Sequence, residues 1–89
     1  MRKLQKDSHA AAYLDAALED GDSDVFLLAL RDVVDARVGG IGPLAQKAKL
    51  NRETLYKTLS AKGNPALSSL HSILSELGLR LSIVTKKAG

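Results

Sequence analysis

The apolar positions of this 89-residue chain fall into a series of helical runs followed by one run of strand period. From Ser8 to Leu18 they recur at Ala10, Tyr13, Leu14, Ala17 and Leu18, one face of an amphipathic helix with Ser8 as its cap. "EDGD" at 19–22 ends that helix, with Gly21 as its left-handed stop. Ser23 caps a second helix, Asp24 to Arg37, with a stripe of Phe26, Leu27, Leu30, Val33 and Val34. Val25, Leu28 and Ala29 widen the stripe, and so apolar a helix belongs at the centre of the core. "VGGIG" at 38–42 reads as a loop. Pro43 suits the first turn of a short third helix that runs to Lys49. Leu50 and Asn51 turn the chain, and Asn51 caps a fourth helix from about Arg52 to Ser60, which "AKGNP" stops. The fifth helix, Ala66 to Leu77, carries Leu67, Leu70, Ile73, Leu74 and Leu77 on one stripe and ends at Gly78.

The period then changes. In "LRLSIVTKK" (79–87), Leu79, Leu81 and Ile83 alternate with Arg80 and Ser82, and β-branched residues follow. One short strand cannot stand alone, because its backbone groups and its apolar face both need partners. No other segment reads as a strand, so the simplest partner is the same segment of a second copy, in an antiparallel ribbon built on Leu79, Leu81, Ile83 and Val84. An unpaired tail is the alternative. The predicted architecture is all-α: a five-helix bundle with a short C-terminal β-strand that pairs across a homodimer. Residues 1–22 form an N-terminal arm and helix, and residues 23–89 form the main domain with its dimerisation strand.

Composition narrows the function. Only three residues are aromatic, so the core is aliphatic, and a core this small gains from a second copy. With no cysteine, disulfides, thiolate metal sites and cysteine nucleophiles are excluded. The longest apolar run, Val25–Leu30, is too short to cross a bilayer, and the basic start is not followed by a secretory segment. A cytoplasmic protein with no membrane association is expected. Two histidines, His9 and His71, are about sixty residues apart, and the acid pairs Asp15/Glu19 and Asp32/Asp35 have neither a cleft nor a metal-ligand partner. "GGIG" lacks the lysine and hydroxyl of a phosphate-binding loop. The chain is therefore expected to be no enzyme and to carry no cofactor or metal.

Charge is segregated along the chain. Residues 7–37 carry eight acids against two arginines, a net of −6, whereas residues 42–65 carry five Lys or Arg against one Glu, a net of +4. Such a chain can offer opposite surfaces to partners of opposite sign.

The basic part also holds a recognisable constellation. Two short helices joined by a tight turn, the second capped and rich in Arg, Lys, Asn and Thr, describe a helix-turn-helix. Ala45 lets the helices approach, while Leu44, Ala48, Leu50 and Leu55 supply their shared core. Asn51, Arg52, Glu53, Tyr56 and Lys57 then face outward, where the front of such a helix enters the major groove of double-stranded DNA. Arg52 can fork onto guanine, and Asn51 can pair with adenine or simply cap the helix. Thr54 is turned partly inward, its methyl packing or meeting a thymine methyl. Lys57 and Lys62 suit phosphates, and Tyr56 suits a phosphate or a sugar. Lys49 stands where the turn usually carries glycine. It must adopt a left-handed conformation, at a cost of about 1 kcal/mol, or alter the turn. A pure protein-interaction module remains the alternative use of the same hairpin.

"AAYLDAALEDGDSDVFLLALRDVVDAR" followed by "LAQKAKLNRETLYKTLSAKGNPALSSLHSILSELGLRLSI" resembles the addiction-module antidote proteins. These are helix-turn-helix antitoxins of type II toxin–antitoxin systems, of the HigA kind and related to the lambda-repressor-like regulators. The likeness covers about residues 10–84 and rests on "YLDAALEDGD", "RETLYKTLS" and "GNP…LGLRLS". It implies a dimer that represses transcription from its own pseudo-palindromic operator. It also implies a tight complex with a small basic RelE/HigB-like ribonuclease toxin. By that analogy Asn51, Arg52, Thr54, Tyr56 and Lys57 face DNA. A basic toxin would be drawn to the acidic half, where Tyr13, Asp15, Glu19, Asp20 and Asp22 are the candidate contacts, although Tyr13 and Leu14 also fit the core. A stand-alone regulator without a toxin is the alternative within the class.

Overall fold

Among the described residues, five helices follow one another: α1 (Asp7–Glu19), α2 (Ser23–Val38), α3 (Ile41–Ala48), α4 (Arg52–Thr58) and α5 (Leu67–Glu76). They belong to a computed structural model that describes residues 7–60 and 63–85. The number and order of helices are those the periodicity predicts, and their ends differ for local reasons. Ser8 lies inside α1 rather than capping it. The cap of α2 is Asp22, not Ser23: its Oδ1 accepts the Asp24 N–H at 2.9 Å, and Ser23 is the first helical residue. A carboxylate there both satisfies an orphan donor and faces the positive end of the helix dipole.

The expected loop at 38–42 is shorter, because Ile41 is almost fully buried and opens α3 two residues before Pro43. Pro43 still falls within the first turn, where no intrahelical N–H is required of it. α4 ends at Thr58 rather than Ser60, and in the turn beyond it the Gly63 N–H donates to the Ser60 carbonyl at 2.9 Å. A Cβ on Gly63 would collide with the Thr58 carbonyl and stand 2.7 Å from the Lys57 carbonyl oxygen, so glycine alone fits this close passage.

α3 is the hub, packing against α2, α4 and α5, while α1 packs on α2 as an antiparallel hairpin. The fully buried large side chains are all aliphatic, among them Leu27, Leu30 and Val33 of α2, Leu44 of α3, Leu55 of α4 and Ile73 of α5. Burial of each leucine contributes about 1.5–3 kcal/mol. Ala10, Leu14 and Ala17 join α1 to the same cluster. Leu59, just past α4, is completely buried and does the packing that the half-buried Thr58 does not. Val25 and Leu28, expected to widen the core stripe of α2, are instead 39% and 49% exposed.

The expected C-terminal strand is not formed. Residues 79–85 run without regular structure, and no strand occurs among the described residues. The physical reason lies in the single chain: every described neighbour is helical and has already closed its own hydrogen bonds, so 79–85 has no ladder to join. Leu79 packs half-buried against the core, and its N–H donates to the Leu74 carbonyl at 2.8 Å. Beyond it Leu81, Ile83 and Val84 are exposed, Ile83 almost fully. No helix among the described residues is long and apolar enough to cross a membrane.

Candidate nucleic-acid interface

The geometry of the candidate site starts at the turn between α3 and α4, three residues long. Lys49 takes φ 57° and ψ 42°, the left-handed conformation, and is the one non-glycine residue with positive φ among the described residues. This conformation lets the N–H groups of Lys49 and Leu50 both reach back to the Ala45 carbonyl, the latter at 2.9 Å. It is a Schellman-type stop made without glycine. Leu50, half-buried, then tucks against the core and turns the chain into α4.

Asn51 caps α4: its Oδ1 accepts the Thr54 N–H at 3.0 Å. Of its two expected roles, capping is the one present, and the amide nitrogen remains available as a donor. Leu55 is the buried residue of α4, and it pins the helix to α3. The opposite surface is open: Asn51, Arg52, Glu53, Thr54, Tyr56 and Lys57 are all exposed. Thr54 is thus outward rather than partly inward. Lys62 lies outside the described residues.

Tyr56 organises this surface. Its ring centroid lies 5.7 Å from the Arg52 guanidinium carbon and 5.8 Å from that of Arg31. Arg31 comes from α2, twenty-five positions earlier in the chain, and sequence reasoning missed it. Only the tertiary packing brings it to α4, although its place between the buried Leu30 and Val33 already marks it as flanking the core stripe. Two cations, the exposed Arg52 and the half-buried Arg31, thus lie against one aromatic ring. The Arg52 guanidinium also lies back over the start of α3, where a Cβ on Gly42 would stand 3.8 Å from its carbon. Swinging it forward off Tyr56 costs about 0.5–1 kcal/mol at such an exposed site. With Lys57 of the same helix, the arrangement offers three cations and an aromatic hydroxyl, a donor set suited to phosphates and base edges.

The acidic residues are dispersed rather than gathered. Tyr13 and Asp20 line one groove, between α1 and α2; Asp15 lines another, with Leu18, Leu74 and Leu81; Asp22 is engaged as the α2 cap. Glu19 lines neither groove. The Tyr13 hydroxyl donates to Asp32 Oδ2 at 2.8 Å, a contact absent from the sequence reading. That hydrogen bond, with slight burial and the neighbouring negative charge, holds the Tyr13 hydroxyl above the ordinary phenol pKa.

A family model for probable addiction module antidote proteins matches residues 1–85. The chain belongs to this family. A protein of Haemophilus influenzae described as uncharacterized is 30% identical over 80 residues, spanning 90% of this chain and 80% of that protein. No solved structure matches the chain. An antidote is defined by the poison it counters, so membership in the antidote family gives the chain an antitoxin role and a toxin partner. The exposed α4 edge is part of an antidote protein, and the acidic α1–α2 hairpin belongs to the same fold.

Proposed function

We propose that this antitoxin is also a sequence-specific DNA-binding autorepressor. In this reading α3 and α4 act as a lambda-repressor-like helix-turn-helix of the HigA kind. The observation that carries it is the α4 edge itself: a capped, seven-residue helix whose outward face holds Arg52, Tyr56 and Lys57, joined by Arg31 from α2. Arg52 reads a guanine edge once it leaves Tyr56, while Arg31 and Lys57 take phosphates that set register. Two copies bind together, their 79–84 segments pairing as an antiparallel ribbon that covers Leu81, Ile83 and Val84. Leu79 and Leu81 already border a groove of about 340 Å³ with Leu18 and Phe26, which gives the ribbon an apolar seat. The operator is then a pseudo-palindrome with half-sites about 34 Å apart or a multiple of that. The toxin is a small basic protein of the RelE/HigB type, neutralised in the cytoplasm by binding and without catalysis by this chain.

A fluorescence-anisotropy titration onto the DNA upstream of the gene, against scrambled duplex and at several salt concentrations, tests the DNA-binding part. Arg52→Ala should weaken the specific site by about 1–3 kcal/mol and relax preference at one base step. Lys57→Ala should weaken all duplexes alike and lower the salt slope by about one. Equal binding of operator and scrambled duplex by the wild type would leave α4 without a reading role. Co-expression with the neighbouring reading frame tests the toxin.

A further inference from the structure

The groove between α1 and α2 is the surface on which this antidote holds its toxin, we infer, and its occupant is a cationic protein segment that carries apolar side chains. The inference rests on the toxin-binding part of the function proposed above. The groove has a volume of about 390 Å³, with Tyr13 of α1 and Asp20 just past its end facing Val25, Leu28 and Asp32 from α2. Its large apolar members are uncovered: Tyr13 is 37% exposed, Val25 39% and Leu28 49%, while Ala17 and Ala29 behind them are buried. Val25, Leu28 and Asp32 stand at i, i+3 and i+7, a second stripe of α2 turned away from the core. The Tyr13 hydroxyl spans the groove to Asp32 at 2.8 Å and fixes one carboxylate at the rim, while Asp20 supplies another. Apolar side chains beside two carboxylates, one of them held by Tyr13, fit leucine- or phenylalanine-sized side chains flanked by lysine or arginine.

Charge decides between possible occupants. Residues 7–37 carry a net of −6, eight acids against two arginines. Nucleic acid is repelled by such a surface. A second copy would set the same acids against each other across an isologous contact. A basic protein gains on both counts, and the antidote family implies a protein partner of its own.

The test uses the full-length chain, tagged and co-expressed with the product of the neighbouring reading frame, with affinity read by titration calorimetry on the purified components. Leu28→Lys should weaken the complex more than tenfold and Asp20→Lys several-fold, while far-UV circular dichroism, the oligomeric state and duplex DNA binding stay at wild-type values. Leu81→Lys, in the other groove, should leave toxin affinity within about twofold of wild type. A wild-type complex that survives Leu28→Lys within twofold overturns the inference and leaves the antitoxin reading standing. A Leu28→Lys chain that loses self-association instead overturns it in favour of an interface between copies. A wild-type chain that binds no neighbouring product overturns the toxin reading and this inference together.

Discussion

Replacing Lys49 with glycine should stabilise the protein, and the size of the gain follows from the turn. Lys49 sits at φ 57°, ψ 42°, and its side chain is exposed. For an L-residue with a Cβ this conformation costs roughly 1–2 kcal/mol, and glycine adopts it freely. Glycine in turn loses more freedom on folding, roughly 0.5–1 kcal/mol relative to a residue with a side chain. The difference is a net gain of about 0.5–1 kcal/mol, with the two N–H contacts to the Ala45 carbonyl kept. In a domain of this size 1 kcal/mol moves the melting temperature by about 4–8 °C, so Lys49→Gly should melt about 2–8 °C higher. Thermal circular dichroism and urea unfolding at one fixed protein concentration read it, with the urea m value unchanged. Lys49→Ala is the control: it removes the charge but keeps the Cβ, and should melt within about 2 °C of wild type by the same strain argument. A Lys49→Gly protein no more stable than wild type would refute the strain reasoning. Equal gains in both variants would assign the effect to relief of charge repulsion among the basic residues instead.

The contacts of Tyr13, Arg31 and the C-terminal segment yield three further expectations. Tyr13→Phe removes the bond to Asp32 and should cost about 0.5–1 kcal/mol at neutral pH, discounted for an exposed pair. Because the folded Tyr13 pKa is raised, the contribution is complete below the ordinary phenol value of about 10 and is lost as pH rises through the folded value, so urea melts of the two proteins should converge in that range. Arg31→Ala should weaken specific and scrambled duplexes alike and reduce the salt slope by about one, and an unchanged slope would remove Arg31 from the interface. Leu81→Asp with Ile83→Asp should give monomers by light scattering, and a variant that stays dimeric would exclude the 79–84 ribbon.

Much of the helical order is legible in the sequence because burial follows period: Leu14, Leu30, Leu44, Leu55 and Ile73 all sit where the 3.6-residue repeat puts them, and all are buried. The Asn51 cap and the left-handed Lys49 are legible for local reasons, since the chain must turn within three residues. Ambiguity enters where two neighbours are equally able. Asp22 and Ser23 are both good caps, and only the three-dimensional entry angle of α2 selects Asp22. Val25 and Leu28 look like core because apolar character alone does not say which of two stripes faces inward. The strand pattern at 79–85 is real as a pattern, yet strand geometry needs a partner and the single chain offers none. Arg31 and Asp32 escaped notice as contact residues because Tyr56 and Tyr13 reach them only after the helices pack.

Those two adjacent residues also redraw the charge map. Arg31 is counted by sequence with the acidic half, but its contact is with Tyr56 on the basic α4 edge. Reassigned by contact, the acidic half keeps eight acids against one arginine, and the basic side has six Lys or Arg against one Glu. Counted by that one contact, the two runs differ in charge more than their sequence boundaries suggest. α2 makes this possible: consecutive helical residues point about 100° apart, so Arg31 reaches Tyr56 while Asp32 reaches Tyr13. The buried stripe of Leu27, Leu30, Val33 and Val34 anchors the helix that carries both. In the function proposed above, one well-anchored helix with two differently charged faces serves a cationic protein and a polyanion without either surface neutralising the other.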